Sequence, residues 1–530
     1  GATFKTFGTG SIMIGDNATG TIDAANNNTG VGVDVFAALT SGDDNTVVGF
    51  NSGAAITTGS KNTALGRGAG EAITTGEKNV TIGYNSGKLT TTGIKNVAVG
   101  SYSLDANTTG ENNTAIGQSA LGANTTASNN TAVGINASTS NTTGGNNVAV
   151  GVDALKVNTG SFSNVAIGTR ALDAFNVTTA TSTYNVAVGE DALGACTTGV
   201  ENTAVGGEAM ILNTTGSYNV AVGRDALQAN TTGAQNNAFG NNALGSNTTA
   251  NDNTAMGSGA LTTNTTGASN TGIGRAALNA NTTASNNTAV GYYALVANTT
   301  GDTNVAIGKD SMRSNTTGTN NVAVGVGAGY ANTTGVDNTY IGDDAGDTTT
   351  TGSSNTLVGS NVLASSAGTS NANGFGYNLT CADNYTTIGQ GTADIRAEHG
   401  VASWGTVSDE RVKKDIEDST VGLAFINDLR PVTFNYKNKG DLPENFNGYE
   451  KGSTEVYKNL KSQHGFIAQE VKEAIDKHND IKDGFGMWDD NDPAGQQRVS
   501  ETAVMPILIK AVQELSAQVE ELKLQINEEK

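Results

Sequence analysis

The amino-acid sequence predicts a mainly β fold: a parallel β-roll or solenoid rod of about 22 seventeen-residue repeats, then a small α+β domain ending in a coiled-coil helix. Glycine spacing predicts the first part, a shift of composition near residue 400 the second, and a 3–4 apolar spacing after Pro506 the third. The expected boundaries are 1–395, 396–505 and 506–530.

Asn-Val-Ala-Val-Gly occurs at 96–100, 147–151, 185–189, 219–223 and 321–325, and Asn-Thr-Ala-Val-Gly at 130–134, 202–206 and 287–291. The closing glycines run in 17-residue steps from Gly15 to Gly168 and again from Gly189 to Gly376. A 21-residue step between the two series places a four-residue insertion within 176–184, and a last step of 13 reaches Gly389. The first half of each copy reads as a strand, in which Val305 and Ile307 point to one face and Ala306 and Gly308 to the other. The Ala-Leu pair that follows is expected to form a second short strand, and Asn-Thr-Thr-Gly is turn chemistry. One such unit cannot bury its apolar face, so copies must stack, each strand bonding to the equivalent strand of the next. At about 4.8 Å per strand the stack is roughly 100 Å long. All four prolines lie beyond residue 400, as a continuous ladder requires, because each would delete one of its hydrogen bonds. Equivalent asparagines are expected to stack as amide ladders.

The small Ala/Gly face is either filler turned to solvent or the surface through which several chains approach closely. The second is expected, since filler on a wet face would drift to polar residues more often than these positions do. That predicts an oligomeric rod.

Composition excludes several classes. A net charge of −21 with no basic stripe argues against nucleic acid and anionic membranes as partners. No run approaches 18 apolar residues, so no membrane span is expected, and residues 1–10 lack the pattern of a secretion signal. Without an initiator Met, Gly1 reads as a trimmed start. Two cysteines, Cys196 and Cys381, make neither a disulfide framework nor a zinc cluster. There is no Walker A motif and no Gly-Gly-x-Gly-x-Asp calcium repeat, so no cofactor and no metal are expected. The last 130 residues carry 40 charged side chains against 39 in the first 400, along with both tryptophans, so only they resemble a globular domain.

The repeats, over roughly residues 11–390, resemble the head repeats of YadA-like trimeric adhesins, whose Asn-x-Val/Ala-Ile-Gly units wind a parallel β-roll in each of three chains. The C-terminal part offers three ordered blocks: Ser408-Asp409-Glu410-Arg411-Val412-Lys413-Lys414-Asp415-Ile416, then Leu429-Arg430-Pro431-Val432-Thr433-Phe434-Asn435-Tyr436, then His464-Gly465-Phe466-Ile467-Ala468-Gln469-Glu470-Val471. They resemble the intramolecular chaperone of endosialidase, peptidase family S74. That family sits at the C-terminus of phage tail fibres, tailspikes and neck appendages, where it trimerises, guides folding of the preceding β-structure and then cuts itself off. The resemblance implies cleavage at Ser408–Asp409, with Ser408 and Lys413 as a catalytic dyad acting once, in cis. It also implies His464 as an assisting group, a homotrimer, a host cell-surface receptor of glycan or protein, and attachment to other virion tail proteins through a region N-terminal to this chain.

The chemistry is sound on its own terms. A serine hydroxyl is a weak nucleophile until a neighbouring base takes its proton, and lysine is a base only when burial or positive neighbours such as Arg411 and Lys414 favour its free amine. Taken without the resemblance, a Ser-Asp pair ahead of an apolar segment is a helix N-cap, Lys413-Lys414 a solvated face, and His464 a core hydrogen-bonding residue. His399 and His478 read as surface residues. Leu508, Val512, Leu515, Val519, Leu522 and Ile526 form a seam of under three heptads, which suits either a trimeric coiled coil or a helix packed on its own domain. A registering device is needed, because a slip of one 17-residue copy preserves nearly every contact.

Three functions compete. A phage tail fibre or appendage, virion-borne and turned to the cell exterior, is favoured. A bacterial YadA-like surface adhesin is the alternative, although it should end in a membrane β-barrel rather than a charged helix. An ice-binding solenoid would need Thr-x-Thr faces rather than adjacent threonines. A glycan-degrading enzyme is weaker still, for want of a recurring carboxylate pair.

Overall fold

A computed structural model of the chain describes residues 3–529 apart from 16–23, 402, 407, 483–484 and 493. The chain divides into two compact units, the second beginning at Ser408.

The first unit is the expected solenoid, one copy per rung. Strands of three residues pair in parallel with the same three residues of the next copy, as Val305↔Val322, Ala306↔Ala323 and Ile307↔Val324 do. The insertion is absorbed without a slip: Val165, Ala166 and Ile167 face Val186, Ala187 and Val188. Antiparallel strands close both ends, Thr3–Phe7 on Ser11–Gly15 at the start and Ala393–Glu398 on Tyr385–Gln390 at the finish, with Gly405–Thr406 on its far side. Residues 396–398 and 405–406 thus belong to the strands that end the solenoid. Such closing strands cover edges that would otherwise template further pairing.

The two faces of the strand are assigned the other way round from the sequence expectation. The alanines are neither solvent filler nor a contact between chains; they line the inside of each chain's own roll. Ala306 is fully buried, while Ile307 on the opposite face is 41 % exposed. The reason is volume. The roll is narrow, and the opposite wall supplies the bulk, in most rungs from 104 to 295 through a leucine such as Leu227, Leu244 and Leu295, all buried. A large residue on one wall needs a small one on the other if the interior is to pack without overlap.

The Ala-Leu segment is not a second strand over most of the solenoid. It is a run of turns with residues of positive φ at alternate places, for example Asp225 at +59° and Leu227 at +51°, which breaks the extended conformation a strand requires. Among the described residues only Leu363–Ala364 and Thr380–Cys381 pair as strands there. The turns still bond rung to rung, with the Leu104 amide donating to the Ala120 carbonyl at 2.9 Å and the Thr108 amide to the Thr125 carbonyl at 2.8 Å. Each copy is therefore tied to the next along both walls. At the corner after the strand Gly223 has φ +133°, and a Cβ there would lie 2.6 Å from the carbonyl of Gly240 in the next rung, so no larger residue fits.

The expected amide ladders are present as two columns. One runs through twenty buried asparagines from Asn28 to Asn355. In it Asn202 Nδ2 donates to Asn185 Oδ1 at 3.3 Å and to the Gly216 carbonyl at 2.9 Å, while Asn202 Oδ1 accepts from the Asn219 backbone amide at 3.0 Å. The second column, including Asn107, Asn124, Asn141, Asn158 and then Asn213 to Asn332, is broken by Phe175 and Cys196 on either side of the insertion. Elsewhere a departure on one wall is matched on the other. Tyr340 takes an alanine place in the core, and glycines replace leucine at 329 and 346, where a Cβ at 329 would come within 2.6 Å of the tyrosine ring and one at 346 would overlap it.

The second unit is α+β. Helices α1 (Leu423–Asp428), α2 (Ala468–Asp476) and α3 (Met505–Glu528) surround a core of Val421, Phe425, Val471, Ala474, Ile475, Met487 and Ile507. Two short antiparallel pairs, Val432–Phe434 with Gln463–Gly465 and Trp488–Asp489 with Arg498–Val499, complete it. Glu514 on α3 accepts the Leu423 amide at 2.8 Å and so caps α1. No helix among the described residues is long and apolar enough to cross a membrane.

Candidate functional site

The second unit opens on the residues singled out from sequence. Asp409 is extended (φ −70°, ψ 134°) and caps a single 3-10 turn, Glu410–Val412, accepting the Arg411 amide at 2.8 Å. Across this turn Lys413 Nζ donates to Ser408 Oγ at 2.7 Å. The N-cap expected on composition alone is thus also present, with Asp409 rather than Ser408 as the cap. The same aspartate is held by the Arg411 guanidinium through Nε to Oδ1 at 3.0 Å and Nη2 to Oδ2 at 2.6 Å. That ion pair keeps the Asp409 carboxyl below the usual carboxylate range.

Arg411 therefore serves the residue after Ser408 rather than Lys413, and Lys414 lies 3.9 Å from Asp415. Ser408 and Lys413 are both exposed in the single chain. To act as a general base an amine must accept the serine proton in its uncharged form, a form that removal of water around it favours.

The other two sequence blocks meet each other. Val432–Phe434 and Gln463–Gly465 pair with Thr433 opposite His464, and the His464 Nδ1 is 3.1 Å from Thr433 Oγ1. The recorded partner of His464 is thus Thr433, and no hydrogen bond joins it to Ser408 or Lys413 among the described residues. Arg430 of the second block bonds Glu470 of the third through two guanidinium contacts, which lowers the Glu470 carboxyl. Two histidines read as plain surface residues have partners: His478 Nε2 is 2.9 Å from Asp428 and edge-on to Phe425, and His399 Nε2 is 3.1 Å from Thr386 Oγ1.

All six seam residues of α3 are exposed, from 40 % at Leu508 to 59 % at Val512, whereas Ile507 and Ala511 carry the contact with the unit's own core. In the single chain the seam covers nothing. A longer unpaired stripe runs along the solenoid, mostly one outward Val, Ile, Leu, Phe or Met per rung, including Ile116, Ile167, Phe239, Met256, Ile273 and Ile307 at 36–44 % exposure. Sequence reasoning missed this surface, although alternation had grouped its residues; the signal was the leucine on the opposite wall, which needs the small face inside.

Fold and site together define a chain in which a long repeat solenoid precedes a small α+β unit with a Ser/Lys pair at its threshold. Residues 408–480 match the family model described as Chaperone of endosialidase, Peptidase_S74. No curated protein matches the chain.

Proposed function

We propose that this chain is the shaft of a trimeric phage tail fibre or appendage that contacts the host cell surface, and that its second unit is an intramolecular chaperone that registers three chains and then cuts itself free. The observation that carries the reading is the start of the chaperone match at Ser408, the residue on which Lys413 is already seated.

Two unused apolar surfaces support assembly. Burying the exposed remainder of each outward solenoid side chain is worth on the order of 1 kcal/mol per rung. Over some twenty rungs this exceeds the roughly 4–15 kcal/mol lost to association. The α3 seam fixes register first, since the solenoid stripe repeats and cannot tell one rung from the next.

Cleavage at Ser408–Asp409 constrains the nucleophile. Attack by Ser408 Oγ on the carbonyl of its own residue would close a four-membered ring. The attack expected in cis is therefore replaced: in the trimer the attacking oxygen is the Ser408 of a neighbouring chain or a water, with Lys413 taking its proton once partner chains exclude solvent. The tetrahedral adduct collapses as its C–N bond breaks, and the departing Asp409 amine takes that proton back; with serine as nucleophile, water then hydrolyses the ester. The Asp409–Arg411 lock holds the leaving residue fixed.

The test is a denaturing gel and native mass of wild type, Ser408→Ala and Lys413→Ala. Wild type should release Asp409–Lys530, 122 residues, and both variants should stay at full length while remaining trimeric. A wild-type chain intact after trimer assembly overturns the protease assignment; a monomer overturns the fibre.

A further inference from the structure

The variable positions immediately after each motif glycine form two adjacent columns on the solenoid surface. The second of these has positive φ throughout and is mostly Asn, Asp or Gly, the residues that accept that conformation readily. Tyrosine occupies it only twice, at Tyr102 (φ +59°) and Tyr293 (φ +57°). A bulky residue held there costs about 1–3 kcal/mol. Each of the two strained tyrosines lies in a cluster of exposed aromatics with an arginine.

In the larger cluster the rings of Tyr292 and Tyr293 have centroids 4.1 Å apart. The Arg275 guanidinium lies 5.8 and 5.9 Å from them, and Arg313 lies 5.0 Å from Tyr293 and 5.9 Å from Tyr330. Tyr292 and Tyr330 are 39 % and 41 % exposed. The second cluster repeats the arrangement twelve rungs away: Arg67 between Phe50 and Tyr84 at 5.6 and 5.7 Å, with Tyr84 edge-on to Tyr102. In both, an arginine is followed 17 residues later by a tyrosine in the same column.

The charges are unusual for this chain. Arg275, Lys309 and Arg313 face a single acid, Asp310, in a protein of net charge −21. Neither the Arg275 nor the Arg67 guanidinium makes a hydrogen bond or ion pair among the described residues, although acids outnumber bases 50 to 29. Apart from these ring contacts the N–H groups of both side chains have no protein partner among the described residues, and the guanidinium edge is what takes a carboxylate in a two-pronged bond.

We propose that Arg275, Tyr292, Tyr293, Arg313 and Tyr330 form a binding platform for a carboxylated saccharide, whose apolar C–H face lies on the tyrosine rings and whose carboxylate is held by the arginine edge. This rests on the reading of the chain as a surface-contacting fibre and names the chemistry of the surface it meets. The cluster at Arg67 is a weaker second platform, since Glu71 and Asp105 offset Arg67 and Lys88. At about 4.8 Å per rung the two lie some 60 Å apart, so a long acidic polymer that reaches both gains avidity.

The test uses the full chain and two labelled probes: a hyaluronan tetrasaccharide, which carries glucuronate, and N-acetylchitotetraose, which has no carboxylate. The acidic probe should bind at least tenfold more tightly, and the preference should shrink in high salt. Arg275→Gln with Arg313→Gln should abolish the preference, and Tyr292→Ala with Tyr330→Ala should weaken both probes, with circular dichroism and native mass unchanged. Equal binding of the two probes, no binding of the acidic one, or loss of the trimer in these variants overturns the platform. A trimeric, self-cleaving chain that binds whole cells but not the acidic probe refutes this inference alone and leaves the fibre reading standing.

Discussion

Replacing Asn202 by alanine tests the amide column most directly. Asn202 is fully buried and its side chain makes four contacts, giving to Asn185 Oδ1 and the Gly216 carbonyl and accepting from the amide and the Nδ2 of Asn219. Not all four losses count equally. The Gly216 carbonyl keeps Asn213 Nδ2 at 3.0 Å, Asn219 Nδ2 keeps the Gly233 carbonyl at 2.8 Å, and Asn185 Oδ1 keeps the residue 202 amide at 3.0 Å. Only the Asn219 backbone amide is left buried with no acceptor. That orphan costs about 1–3 kcal/mol, and the weakened bonds around it raise the loss to about 3 kcal/mol. In a stack whose copies touch only neighbours the loss stays local. Hydrogen exchange resolved by peptide should therefore quicken roughly 100-fold around residues 185–233 and stay unchanged near 305–341. Thr198→Ala, at an exposed turn residue of the same rung, is the control and should stay within about 0.5 kcal/mol of wild type. An Asn202→Ala chain that exchanges like wild type, or that loosens along its whole length, refutes the reasoning.

Burial pushes the Cys196 thiol up to about 12 and the Cys381 thiol to about 11, so both stay protonated at pH 8 and a thiol reagent should find none in the native chain and two after denaturation. Gly346→Ala should destabilise its rung through overlap with the Tyr340 ring and strain at φ +67°, yet combined with Tyr340→Ala it should cost less than either change alone, as thermal melts of the three chains would read. Leu515→Asp should dissociate the trimer in a native mass measurement while leaving the second unit folded, whereas Ala511→Asp, placed where α3 meets its own core, should unfold it.

Period, strand, insertion and turn were legible because the glycine at each corner admits no substitute, so its spacing is copied faithfully. Which strand face lies inside was not. Alternation groups Val305 with Ile307 and Ala306 with Gly308 but carries no sign, and the bulk that decides it comes from leucines on the other wall. Those leucines sit at positive φ, a conformation that local propensity assigns to Gly or Asn, so the turn wall was read as a strand. In the second unit, the spacing of Ser408 and Lys413 matches no regular element; a capped 3-10 turn brings them together. The pairing of Thr433 with His464 is a cross-strand contact between segments thirty residues apart, which spacing alone does not reveal.

The break in the second asparagine column has a mechanical meaning. A stack of rungs under axial tension behaves as springs in series, and the softest spring takes the most extension. Between Phe175 and Cys196 the stack lacks the second polar column, as do the rungs before Asn107 with Leu39, Ile56 and Ile73 in its place, but only here does it also carry four extra residues of slack. A pull along the axis should open there first, leaving the rungs on either side intact, so a fibre of this design yields at one hinge near its middle instead of unravelling from an end.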